Sequence, residues 1–388
     1  MSRLLLSCFP GYGHLQPLLP LAAAYRDLGW QVAVATGPDL VHRAEEHGFP
    51  AFATGLSMAE SERRYLDRFP GADLLPVEER LRMLGPHLFV DVAARERARD
   101  LVPLVADWRP DLIVHDVMEL AAPLAAMLHG VRRIAHGVSL MNPSPEQLAV
   151  IGPALEPLYA EWGLADAVAA TLDAPFLDIC PPSLQLGSPN PFAQVRPLRP
   201  TQPPATAGEA LPSLDALPYD RTVHVTLGTV VNDAPGVFEA VLEGLRDEPV
   251  NVVVTIGPDR DPASLGPQPP HVLLAAYLPH VDLLPRVDAV VGHAGAGTLL
   301  ATLAHGLPTV LLPHGAEQHV NAMVVAAAGA GELIVPDAIT PEAVRDAVRR
   351  VLDDPRPGAV AQALAAEIAA MPGPAQVAAQ LEEGVEIG

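Results

Sequence analysis

At 388 residues the chain is too long for one ordinary core and suits two domains of middling size. With 49% hydrophobic and 18% charged residues each half can bury a core, which excludes wholesale disorder, and no apolar run reaches the roughly 20 residues of a membrane helix. Twenty-four basic against 46 acidic residues give a net charge of −22, which argues against a nucleic-acid partner and against an anionic membrane surface. Every basic residue is arginine, so lysine Schiff-base and P-loop lysine chemistry are excluded too. Cys8 and Cys180 are too few for a disulfide framework or a thiolate zinc site, and a reducing cytoplasm is the expected compartment.

Residues 3–9 read as a buried first strand. Their apolar centre, Leu4 to Leu6, is shorter than the roughly 7–15 residues of a secretory signal, and Pro10-Gly11 ends it. A helix is predicted over 14–28, closed by Gly29, then a β-branched strand over Gln31–Thr36 stopped by Gly37-Pro38, then a helix over 40–47. Residues 57–100 are more charged and less regular, and are expected to form surface helices and loops. Leu112–Asp116 is a short strand, 120–128 a helix and 133–138 another strand. Buried strands alternating with helices of this length predict a parallel, doubly wound sheet.

The stretch 189–218 is rich in proline and marks a boundary. It divides the chain into a first Rossmann-like domain (1–200), a linker (201–220) and a second domain (221–372). Strands restart at 223–227, 250–256, 272–276, 289–291 and 309–312, with helices over Val237–Leu245 and 340–352, the latter opened by Thr340-Pro341-Glu342. Prolines at 355, 357, 372 and 374 interrupt the end of the chain, leaving 373–388 as a separate terminal segment. A ligand is expected in the crevice between the two halves, at the carboxyl ends of both sheets.

Three motifs fall at such strand ends. Gly11-Tyr12-Gly13-His14 follows the first strand. Gln16 stands where a dinucleotide fingerprint wants its third glycine, which weakens a nicotinamide-oxidoreductase reading. His14 is either a packing residue or a general base with an unperturbed pKa of about 6.5, suited to proton transfer near neutrality. Asp116 closes its strand on the same sheet edge. It is either a helix cap or the carboxylate that fixes the imidazole tautomer. Gly292-His293-Ala294-Gly295-Ala296-Gly297-Thr298 follows a strand and opens a helix, so its N–H groups and helix dipole form an anion site, with His293 and Thr298 adding side-chain donors. Gly228-Thr229 is a second turn of this kind. His314-Gly315-Ala316-Glu317-Gln318 sets a carboxylate beside a carboxamide, a pair suited to adjacent sugar hydroxyls or simply to a polar helix start.

At these residues the chain resembles the GT-B-fold glycosyltransferases of family 1, of the actinobacterial natural-product type. These enzymes move a sugar from a nucleotide diphosphate to a small lipophilic acceptor. The ordered string from Tyr277-Leu278-Pro279-His280 through His293-Ala-Gly-Ala-Gly-Thr298 to Glu317-Gln318 and Asn321 carries the likeness, which spans nearly the whole chain. The resemblance implies two Rossmann-like domains facing across a cleft, His14 as base and Asp116 as its partner. It implies Tyr277 at the nucleobase, His293, Gly297 and Thr298 at the diphosphate, and Glu317 and Gln318 at the sugar, with Gly228, Thr229, Leu278 and Gly295 also expected to bind the donor. Acceptor contacts are expected from Gly13, Met141 and the stretches 57–85 and 141–152, with the terminal segment crossing back onto the first domain.

The implied reaction is inverting, needs no cofactor or metal beyond its nucleotide-sugar co-substrate, and leaves a homodimer open. Ala301, eight residues after His293, stands where many UDP-sugar enzymes of the family place a ribose-binding glutamate, which favours a dTDP-activated deoxysugar. The alternatives are a UDP-sugar glycosyltransferase, a nucleotide-sugar epimerase or hydrolase, and a non-catalytic homologue.

Overall fold

The computed structural model describes residues 1–75, 77–140, 142–187, 189–204, 211–228, 236–257, 260–315 and 317–383. Seven strands form the first sheet: β1 (Arg3–Ser7), β2 (Gln31–Thr36), β3 (Ala51–Ala53), β4 (Leu112–Asp116), β5 (Arg132–His136), β6 (Pro175–Asp178) and β7 (Gln194–Pro197). They lie in the order β3-β2-β1-β4-β5-β6-β7, with every pair parallel. The second sheet holds β8 (Thr222–Thr226), β9 (Asn251–Thr255), β10 (Val272–Ala275), β11 (Ala289–Gly292), β12 (Thr309–Leu311) and β13 (Gly331–Leu333). Its order is β10-β9-β8-β11-β12-β13, again all parallel. Central strands β1, β4, β8, β9 and β11 are buried along nearly their whole length, as helices covering both sides of a parallel sheet require.

Strand order reverses between β1 and β4 in the first sheet and between β8 and β11 in the second. Each reversal sends neighbouring strand ends to opposite faces and opens a crevice at the carboxyl edge. His14, Asp116, Gly228 and the turn 292–298 stand at the ends of these four strands, and His314, Glu317 and Gln318 follow the neighbouring β12, so the topology gathers them.

Several elements differ from expectation. The first helix is not continuous: Pro17 and Pro20 divide it into Tyr12–Leu15, a tight turn Gln16–Leu18 and a helix Leu19–Asp27. The stretch 57–100, expected to form surface helices and loops, is mostly helical, with Met58–Arg68, Val77–Met83, a π-helical segment Leu84–Ala94 and Arg95–Trp108. Its charges are locally paired, Glu60 with Arg63 and Arg64, while Tyr65, Leu88 and Val92 form a small core of their own. A helix Pro145–Glu161 starts at a Ser144/Gln147 capping box and carries Pro153 and Pro157, which hide it from a composition-based reading. The proline-rich stretch does not begin as a linker, because β7 lies inside it and pairs with β6.

The two halves share one apolar cluster. It includes Leu4, Leu15, Leu18 and Leu21 from the first half and Leu299, Leu300, Leu303 and Val325 from the second. The terminal helix Pro374–Glu382 lies on the helix Leu19–Asp27, and its Val377, Ala378 and Leu381 complete that cluster. No helix among the described residues is long and apolar enough to cross a membrane.

Candidate active site

Gly11 caps the short helix that carries His14. A Cβ on Gly11 would fall 2.8 Å from the His14 ring, so only glycine lets the imidazole fold back over the end of β1. There His14 Nδ1 lies 3.1 Å from Oδ1 of Asp116, the last residue of β4. Asp116 is fully buried; its Oδ2 accepts the Phe9 N–H at 2.6 Å and its Oδ1 the Met118 N–H at 2.7 Å. Burial alone would raise this carboxyl, but the His14 charge and these hydrogen bonds hold it below the usual carboxylate range. An ionised Asp116 makes Nδ1 of His14 the protonated nitrogen and leaves the Nε2 lone pair for the cleft. Burial pulls His14 down, yet the Asp116 charge and hydrogen bond outweigh it, and its pKa is raised above 6.5. The arrangement can take a proton from a hydroxyl and stabilise the imidazolium that results.

Behind this dyad is a buried ion pair, Arg97 with Glu119, each about 1% exposed. Arg97 Nη1 also donates to the Thr54 carbonyl at 2.9 Å, and Gly55, at φ +67°, leaves the room its side chain fills. Neither residue was legible as part of a site, since the contact joins segments far apart in sequence. His115, beside Asp116, is buried with Nδ1 2.9 Å from the Asp116 carbonyl oxygen, and burial pushes its pKa down to about 4.

Across the cleft, β11 ends in the glycine-rich turn. Cβ atoms on Gly228 and Gly295 would fall 2.6 and 2.2 Å from His293 ring atoms, so the imidazole is cradled between two glycine backbones. His293 is 8% exposed, and burial with a neighbouring His314 pushes its pKa down to about 4. Its Nδ1 is buried without a protein partner. Gly295 caps the helix Ala296–Ala304, so free N–H groups of its first turn face the same space. Gln318 begins the helix Gln318–Ala328 and turns its Oε1 back onto the N–H groups of His314 and Gly315, at 2.8 and 3.1 Å. That leaves its amide NH2 as a donor beside the Glu317 carboxylate, whose charge reaches far enough across the cleft to raise His14.

These groups line one cleft of about 1070 Å³. Gly13, His14, Gly228, Tyr277, Leu278, His293, Gly295, Gly297, Thr298, Glu317 and Gln318 all border it, with Asp116 directly behind His14. Thr229 and Met141 lie outside the described residues. Ala301 does not border the cleft; it is 3% exposed, packed with Leu278, Leu284, Val290 and Leu307. Gln16, the residue that spoils the dinucleotide fingerprint, lines the cleft close to Gly297. The wall on the first-sheet side is largely apolar, with Phe9, Phe89, Met118, Leu148, Ile151, Leu155 and Tyr159. Leu148 and Ile151 fall in the expected stretch 141–152, while Phe89 of the π-helical segment and Leu155 and Tyr159 of the helix Pro145–Glu161 extend the wall beyond the expected stretches.

Two Rossmann-like sheets whose switch points face each other across one cleft are the GT-B architecture, and the chain's relatives make it a glycosyltransferase. The chain belongs to the EryCIII-like family: the erythromycin biosynthesis protein CIII-like N-terminal domain matches residues 83–228 and the corresponding C-terminal domain residues 239–383. It is 32% identical to the L-demethylnoviosyl transferase of Streptomyces niveus, covering 97% of this chain and 96% of that one. It is 30% identical to elloramycin glycosyltransferase ElmGT of Streptomyces olivaceus, covering 98% and 96%. Among solved structures it is similar to SsfS6, a glycosyltransferase of Streptomyces sp. SF2575 complexed with thymidine diphosphate, at TM-score 0.79 and 28% identity over 99% of this chain and 100% of that one.

Proposed function

We propose that this glycosyltransferase moves a deoxysugar from a dTDP donor, with inversion, onto a hydroxyl of a lipophilic natural product such as a polyketide. The observation that carries the reading is the His14–Asp116 pair, held at one switch point and facing the glycine-rich turn of the other. In this reading Nε2 of His14 removes the acceptor proton as the oxygen attacks the anomeric carbon in line. Asp116 then balances the imidazolium. His293, Thr298 and the turn N–H groups take up the charge of the departing diphosphate. Glu317 and Gln318 hold sugar hydroxyls, Tyr277 stacks on the base, and the apolar first-sheet wall receives the acceptor. The scheme assigns no metal ion or cofactor, so the rate should be unchanged in EDTA.

The dTDP assignment is supported by the nucleotide bound to the SsfS6 relative; Ala301 lies behind the cleft wall against Leu278, which does border the cleft, and places no carboxylate there. Two experiments test the proposal. His14→Ala should lose most turnover while still binding dTDP; wild-type-like turnover rejects His14 as base. Calorimetric titration with dTDP, dUDP and UDP separates the methyl from the hydroxyl effect. A tenfold preference for UDP over both deoxy nucleotides would overturn the donor assignment and leave the glycosyltransferase intact.

A further inference from the structure

The glycine-rich turn contains a residue in the wrong conformation for its type. Ala294 sits at φ +63°, in the left-handed region that residues with a Cβ avoid. Its neighbours Gly292, Gly295 and Gly297 stand at ordinary negative φ or extended backbone, so the strain falls on the one alanine. Something must hold it there.

Asn321 does. It is fully buried on the helix Gln318–Ala328, and its Nδ2 donates to the Ala294 carbonyl oxygen at 3.0 Å. Its Oδ1 accepts a hydrogen bond from Ser139 Oγ at 3.3 Å. Ser139 belongs to the loop after β5, in the other half of the molecule, and borders the cleft, whereas Asn321 does not. A second carbonyl of the turn, that of Gly297, accepts from Gln202 Nε2 of the linker at 3.2 Å. Both contacts draw C=O groups of the turn into the protein and leave its N–H groups to an anion.

We propose that Asn321 is a positioning residue for the diphosphate turn, holding Ala294 in its left-handed form and tying the turn to the acceptor-side loop through Ser139. This rests on the donor reading given above. Asn321 touches no substrate; it acts through the backbone of the turn. Its signature is strain relief. Glycine at 294 adopts the left-handed form without penalty and no longer needs holding.

The test is a cycle of dTDP affinities by calorimetry, with thermal melts confirming the fold. Asn321→Ala should weaken dTDP about tenfold, the order expected when one buried hydrogen bond and its strained residue are released. Ala294→Gly sets its own reference affinity, and against that reference Asn321→Ala should cost no more than about threefold. Ser139→Ala should weaken dTDP by about threefold, and by less with glycine at 294. That pair reads the same coupling if Asn321→Ala fails to fold. An equal loss in both backgrounds, or unchanged affinity in Asn321→Ala, overturns the positioning role while the donor reading stands. A wild type that binds neither dTDP nor UDP overturns the donor reading and this role with it.

Discussion

Asparagine at 116 keeps the shape of the carboxylate and removes its charge. The two oxygens of Asp116 together accept three hydrogen bonds: from Phe9 N–H at 2.6 Å, from Met118 N–H at 2.7 Å and from His14 Nδ1–H at 3.1 Å. An amide offers only one acceptor atom. In one orientation its NH2 meets the Phe9 N–H; in the other it meets the Met118 N–H and forces His14 into the tautomer that carries its proton on the cleft side. The first leaves two donors opposed in a buried site, at about 1–3 kcal/mol, and the second leaves no lone pair for the acceptor hydroxyl. Loss of a positioned general base lowers turnover by about 10²–10⁴, or about 3–5 kcal/mol of barrier. The assay is initial-rate product formation at saturating donor, with dTDP binding as control. Nucleotide affinity should hold within about twofold, because Asp116 belongs to the first sheet and the turn to the second. A folded Asp116→Asn enzyme within about threefold of wild-type turnover would refute the dyad. The pH profile adds a sign. Because Asp116 raises His14 above 6.5, wild-type activity should rise with pH through that raised value, and the residual activity of the variant should titrate at lower pH. Stability runs the other way: the pair's contribution is fully present below pH 6.5 and is lost as pH rises through the raised His14 pKa.

Other perturbations test the cleft and the frame. Gly295→Ala sets a Cβ 2.2 Å from the His293 ring and should abolish dTDP binding in a calorimetric titration while the protein still melts cooperatively; retained affinity would show that the cradle is loose. Ala301→Glu buries a carboxylate among Leu278, Leu284, Val290 and Leu307, so the free protein should melt lower. UDP should restore more of that melting temperature than dUDP does, with preference shifting toward UDP by about 1–3 kcal/mol; equal rescue would detach Ala301 from the ribose. Truncation after Met371 removes the buried Val377 and Leu381, which should cost roughly 3–6 kcal/mol of unfolding free energy in urea titration, and an unchanged midpoint would show that the helix carries no load.

Strands with a clear β-branched or apolar run were readable directly: Gln31–Thr36 and Leu112–Asp116 fall where predicted, as does the helix Val237–Leu245. Their patterns report local burial, which sequence carries well. The edge strands β3, β7 and β13 were not predicted, because three or four half-exposed residues show no period and their pairing depends on a partner strand. The helix Pro145–Glu161 hides behind two internal prolines, and the π-helical segment has no apolar period to read. In the site, His14, Asp116 and His293 were legible because each stands at a strand end beside a glycine or a turn. Asn321 was visible only as part of a motif, since its role lies in two hydrogen bonds to residues 27 and 182 positions away. Arg97 and Glu119 gave no signal at all.

The terminal helix on the helix Leu19–Asp27 bears on the modular engineering of such enzymes. A chimera that takes everything beyond the linker from another glycosyltransferase would carry away Val377, Ala378 and Leu381, and so unroof the first half it means to preserve. The exchangeable cassette is therefore an insert with two seams, one in the linker and one before Pro374, where Arg199 N–H already meets the Pro372 carbonyl at 2.8 Å. Grafts joined at both seams should keep the recipient's packing between the halves, because both ends of the borrowed piece would be anchored on the recipient's own surface.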